Sequence, residues 1–130
     1  MREPGENRTY RLHNKSEKEI VVYKIDGGLI NNDDVLKCDN CIYTEDDLLF
    51  LIELKGADLN HALDQINSTI DILIKRPSIK VKKLNARIVL SRVSIPRITA
   101  SKENKLKQLL HKSYGAGDYK KQSRTMEDTI

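Results

Sequence analysis

The apolar positions of this chain change period at Gly56. Before it they come as short runs and loose alternations, and after it they recur at three- and four-residue steps. The run Leu48-Leu49-Phe50-Leu51-Ile52 follows Asp46 and Asp47 and leads into Glu53-Leu54-Lys55-Gly56, which predicts a buried central strand over 48–56. Upstream, the β-branched stretch Ile20–Ile25 predicts a first strand, closed by the turn signal Asp26-Gly27-Gly28, and Val35–Tyr43 predicts a second. Thr44–Asp47 is short enough to join the second strand to the third as a hairpin, so the three form an antiparallel meander. Leu59, Ala62, Leu63, Ile66, Ile70, Leu73 and Ile74 form the apolar stripe of an amphipathic helix, with Asp58 as N-cap and Pro77 as stop. Ala86–Val93 predicts a fourth strand, and Ser101 caps a last helix through Lys112. A strand, a helix and a strand in one sheet make a right-handed crossover with parallel strands. The predicted fold is therefore α/β, an α+β mixed sheet: a three-stranded antiparallel meander, a crossover helix, a fourth strand parallel to the third, and a C-terminal helix.

Length and charge add boundaries to this pattern. The chain has 130 residues, which is enough for one modest core. Its polar ends predict an N-terminal arm over 1–18 and a flexible tail over 113–130, around a single domain at 19–112. No apolar run approaches the length of a membrane span, and Met1–Glu6 lacks the apolar stretch of a signal peptide. The expected location is cytoplasmic, with no membrane partner. The two cysteines, Cys38 and Cys41, are too few for a disulfide scaffold and read as reduced thiols. The net charge of +4 hides a split: residues 75–121 hold fourteen Lys or Arg against two acids, while residues 1–74 hold eight against fifteen. An acidic half suited to a cation followed by a basic half suited to a polyanion points to nucleic acid.

The chemistry gathers at the end of the central strand. Alternation puts Glu53 and Lys55 on one face, and pairing through the Thr44–Asp47 turn brings Asp39 beside Glu53. Two adjacent carboxylates repel unless a cation lies between them, and a hard cation such as Mg²⁺ prefers oxygen ligands. Lys55 is then placed to polarise a phosphate or orient water. On the following helix His61 and Gln65 are one turn apart and share a face with Thr69.

Asp39, then Glu53-x-Lys55 at a strand end, then an amphipathic helix and a fourth strand, resembles the PD-(D/E)xK nuclease superfamily over roughly residues 20–93. Cys38 stands where Pro is common in that family, and the leading helix is compressed into about Lys15–Glu19. The resemblance implies a restriction-endonuclease-like fold and a metal-dependent nuclease hydrolysing phosphodiester bonds in DNA or RNA. It implies Mg²⁺ (or Mn²⁺) held by Asp39, Glu53 and the Leu54 backbone carbonyl, with Lys55, Gln65 and His61 completing the catalytic set. Lys75, Arg76, Lys80, Lys82, Lys83 and Arg87 are the candidates for backbone phosphate contacts, probing DNA by charge alone. No aromatic residue lies between Lys75 and Lys112 to stack on bases. A homodimer would enlarge the binding surface of so small a domain. The alternative is a non-catalytic module of the same fold that binds nucleic acid or another partner.

Overall fold

A computed structural model describes residues 8–30, 36–56, 58–91 and 99–130; the side chains of Lys55 and Gly56 fall outside the description. The elements run β1 (Thr9–His13), β2 (Ile20–Lys24), β3 (Asn40–Thr44), β4 (Leu48–Gly56), α1 (Leu59–Ile70), β5 (Lys83–Leu90), α2 (Ala100–Ser113), β6 (Tyr119–Ser123) and β7 (Thr125–Thr129). They form a mixed α/β fold with a five-stranded sheet of order β2-β3-β4-β5-β6 and a separate two-stranded ribbon, β1-β7. β2 pairs antiparallel with β3 and β3 with β4, whereas β4–β5 and β5–β6 are parallel.

The β3–β4 register, Asn40 opposite Ile52 and Cys41 opposite Leu51, is set by a tight turn. Asp47 takes φ +62 there, a conformation Asp tolerates, and the Thr44 hydroxyl oxygen accepts from the Leu48 N–H at 3.1 Å. β4 then buries both its faces. Leu49 and Leu51 join α1, α2, Cys41 and Leu84 in the core beneath the helices. Phe50, Ile52 and Leu54 join Tyr10, Ile42, Val89 and Met126 beneath the ribbon. This double burial is why β4 reads as a continuous apolar run rather than an alternation.

α1 starts where the sequence indicates, because the Asp58 side chain accepts from the His61 N–H at 3.2 Å. Its stripe of Leu59, Ala62, Leu63, Ile66 and Ile70 is buried against the sheet. Five residues of π-helix, Asp71–Lys75, prolong it and keep Ile74 in the core. α2 buries Leu106 and Leu110, but its N-cap is Thr99, with no side-chain cap hydrogen bond, and Ser101 lies inside the helix. Among the described residues no helix is long and apolar enough to cross a membrane.

Several expectations need correction. The polar arm over 1–18 contains β1, and the tail over 113–130 contains β6 and β7. β1 and β7 pair in parallel, from Thr9 with Thr125 to His13 with Thr129, and each sends one side chain fully into the core, Tyr10 and Met126. A strand that buries one or two residues in five has no legible apolar pattern. The strand expected over Val35–Tyr43 starts only at Asn40: Val35 lies outside the described residues, and the Lys37 carbonyl and Cys38 N–H bond to side chains of α1. The fourth strand is shifted earlier, to Lys83–Leu90, and Arg92 and Val93 lie outside the described residues.

Candidate functional site

Asp39 ends the approach to β3 and Glu53 lies near the end of β4; they are 3% and 0% exposed. The β3–β4 ladder ends at the Asn40–Ile52 pair, one residue short of both acids along the chain. Asp39 is held in three ways. Its carbonyl accepts from the Ile25 N–H at 2.9 Å and its Oδ2 accepts from the Leu54 N–H at 2.8 Å, while α1 grips the peptide before it. Strand alternation turns Glu53 to the helix side, since its neighbours Ile52 and Leu54 pack beneath the ribbon.

The buried Cys38 thiol feels the fields of both acids. Burial, above all, pushes its pKa well up; the adjacent Thr69 side chain opposes this, and the fields of Glu53, Cys41 and Asp39 push it further. Cys41 is pushed up to about 11, chiefly by burial. Both thiols are protonated at neutral pH and neither behaves as a nucleophile.

α1 brings Gln65 and Thr69 to the same region. Gln65 Nε2 donates to the Lys37 carbonyl at 3.1 Å, and its Oε1 is buried with no hydrogen-bond partner among the described residues. Thr69 Oγ1 accepts from the Cys38 N–H at 2.9 Å and donates to the Gln65 carbonyl at 2.8 Å. His61 is on the exposed side of the first turn of α1. Leu54 contributes backbone only, because its side chain is fully buried. Lys55 follows on β4, where the pairing with β5 becomes irregular between Glu53 and Gly56.

The carboxyl groups of Asp39 and Glu53 and the buried Gln65 Oε1 offer oxygen, the ligand type a hard divalent cation takes. Among the described residues no group of three or more His, Cys, Asp or Glu is placed to hold a metal ion, so such a cation would take backbone, substrate or water as its remaining ligands.

The predicted phosphate contacts do not surround the carboxylates. Lys82 donates its backbone N–H to the Asp47 carbonyl at 3.0 Å and Lys83 pairs with Leu48, both at the start of β4. Glu53 is five residues further on, roughly 17 Å away along the strand. Lys75, Lys80 and Lys82 are exposed at that far end, Lys83 is half-buried, and Arg76 pairs with Asp71 at 3.0 Å. Arg87 cannot serve at all. It is 3% exposed and lies on the ribbon side of the sheet, where it pairs with Asp128 at 2.6 Å and with Asp118 at 2.7 Å and stacks over Phe50 at 5.5 Å.

That second cluster was not visible in the sequence as a site. Tyr10 donates to Asp128 at 2.7 Å, Lys120 pairs with it at 3.1 Å, and Arg87 Nη1 also donates to the carbonyls of Ala86 and Asp118. Burial alone would raise the Asp128 pKa, but the bonds from Arg87 and Tyr10 outweigh it and the pKa falls below the ordinary carboxylate value. The only signal in the sequence is a lone Arg inside the apolar run Leu84–Leu90. A third cluster joins α2 to β6: Glu103 accepts from Tyr119 at 2.8 Å and pairs with Lys121 at 2.9 Å.

No family model, curated protein or solved structure matches the chain. The functional reading therefore rests on the site.

Proposed function

We propose that this chain is a metal-dependent nuclease of the PD-(D/E)xK type, with a restriction-endonuclease-like sheet. The observation that carries the reading is that Asp39 and Glu53 are both buried, each one residue beyond the last pair of the antiparallel β3–β4 ladder, with Asp39 Oδ2 accepting from the Leu54 N–H. The antiparallel β2-β3-β4 order followed by a helix and the parallel β5 supports it. Asp39, Glu53 and the Leu54 carbonyl would hold Mg²⁺ or Mn²⁺, which would supply charge to a phosphodiester and acidify a water. The chain's own part is to hold the two carboxyl groups in place and to exclude bulk water from them. Gln65 fixes the peptide before Asp39, and Lys55 is the residue proposed to meet the phosphate.

The far position of Lys75, Lys80, Lys82 and Lys83 limits their role to gripping a long duplex, since a short substrate could not reach both ends of β4. That separation favours, as a second reading, a nucleic-acid-binding module without catalysis. Incubation with plasmid, linear, single-stranded and branched DNA and with RNA, in Mn²⁺ and in chelator, separates the two. Cleavage by the wild type that disappears in Glu53→Gln and Asp39→Asn supports the nuclease. Salt-sensitive binding with no cleavage in any metal supports the module.

A further inference from the structure

We infer that Thr69 is a positioning residue: through the backbone of Cys38 it sets the direction of the Asp39 carboxylate, a role that rests on the metal-site reading of Asp39 and Glu53. The Lys37 carbonyl and the Cys38 N–H are the two ends of one peptide unit, which is planar and rigid. α1 holds both ends, Gln65 Nε2 on the oxygen at 3.1 Å and Thr69 Oγ1 on the nitrogen at 2.9 Å. Only the φ and ψ of Cys38 separate that plane from the peptide that carries Asp39.

The Thr69 hydroxyl is itself fixed. Its one proton goes to the Gln65 carbonyl at 2.8 Å, which leaves a lone pair directed at the Cys38 N–H. Gln65 and Thr69 are one helical turn apart, so their spacing on α1 dictates the orientation of the plane they grip. Thr69 is 0% exposed, and no solvent molecule can replace it without opening the core. Downstream, the Asp39 carbonyl is tied to Ile25 and its Oδ2 to Leu54, so a rotation of the clamped peptide must be absorbed by the carboxylate. A merely structural Thr69 would change stability and leave the carboxylate of the folded protein where it is.

The test compares wild type with Thr69→Val, which keeps shape and loses the hydroxyl, with Thr69→Ser, which keeps it, and with Ile66→Val as a control of stability alone. Amide exchange and shift at Leu54 and the carboxyl carbon shift of Asp39 are read by NMR, and Mn²⁺ affinity by titration, at a temperature where every variant is folded. Thr69→Val should exchange the Leu54 amide at least fivefold faster, move the Asp39 carboxyl signal and weaken Mn²⁺ at least tenfold. Thr69→Ser should restore each within about twofold, and Ile66→Val should change none. If Thr69→Val does not fold, Gln65→Met releases the other end of the same peptide and should move the same signals. A wild type that binds no Mn²⁺ removes the metal reading, and the Leu54 and Asp39 signals then decide the positioning by themselves. Unchanged signals in Thr69→Val, or equal changes in Ile66→Val, overturn it.

Discussion

Glu53 on β4 and Arg87 on β5 are both buried, on opposite faces of the same pair of strands, at ladder positions one step apart. Around Arg87 the charges are matched: one guanidinium meets Asp128 and Asp118, and Tyr10 and Lys120 occupy the remaining acceptor positions of Asp128. On the other face Glu53 and Asp39 are buried acids whose fields both reach the Cys38 thiol. A buried ion pair with its hydrogen bonds completed keeps a fold specific, and breaking it is costly. Two like charges brought together by the backbone raise the energy of the fold unless a cation joins them, and such arrangements cluster at functional sites. The same two strands thus carry a matched ion cluster on one face and, on the other, the two buried acids of the proposed site.

The largest expected effect breaks the matched cluster. Arg87→Met takes the guanidinium from the buried Asp128 and should cost about 3–5 kcal/mol in urea unfolding. A loss under 1 kcal/mol would place the Arg87 network with the ornamental surface pairs. The pH dependence sharpens the point. Asp128 has its pKa lowered from 3.8, so its contribution is present above about pH 4 and is lost as pH falls through the folded value. Asp46, brought down to about 2 by Lys18 and Thr44, and Glu103 act in the same window. Asp128→Asn should accordingly give a flatter acid limb than wild type when melting temperature is followed from pH 7 to pH 2.

The acid pair should respond in the opposite direction. Asp39→Asn, which keeps the acceptor for Leu54, and Glu53→Gln should leave melting in chelator unchanged or higher, by up to about 1 kcal/mol. Each should lower Mn²⁺ affinity more than tenfold. Destabilisation of several kcal/mol in both variants would make this cluster structural like the other.

Smaller effects bear on the two ends of β4. Lys82→Glu with Lys83→Glu should weaken nucleic-acid binding at all sequences and reduce the salt slope by about 1–2, with Mn²⁺ affinity unchanged. If Mn²⁺ affinity fell as well, the two ends would be coupled. His61→Ala should change stability by less than about 0.5 kcal/mol, its side chain being exposed. A tenfold slower cleavage in that variant would bring His61 into the site, and a normal rate would leave it on the surface.

The central strand and the helix after it were legible because local patterns specify them. A doubly buried strand is an unbroken apolar run, an amphipathic helix repeats at 3.6, and a tight turn fixes which residues of a hairpin face each other. Asp58 signals its helix start in the same local way. The ends of the chain were illegible because β1 and β7 are strands only with respect to each other: more than a hundred residues separate Tyr10 from Met126, and five-residue segments that bury so little have no period to read. Arg87 was misassigned for a related reason. A basic residue in a basic half looks exposed until the chain folds Asp118 and Asp128 back over it, and those acids belong to the segment that sequence alone leaves as a tail. Sequence fixes what neighbours along the chain do to one another, but the balance of a buried charge depends on partners that only tertiary structure brings into contact.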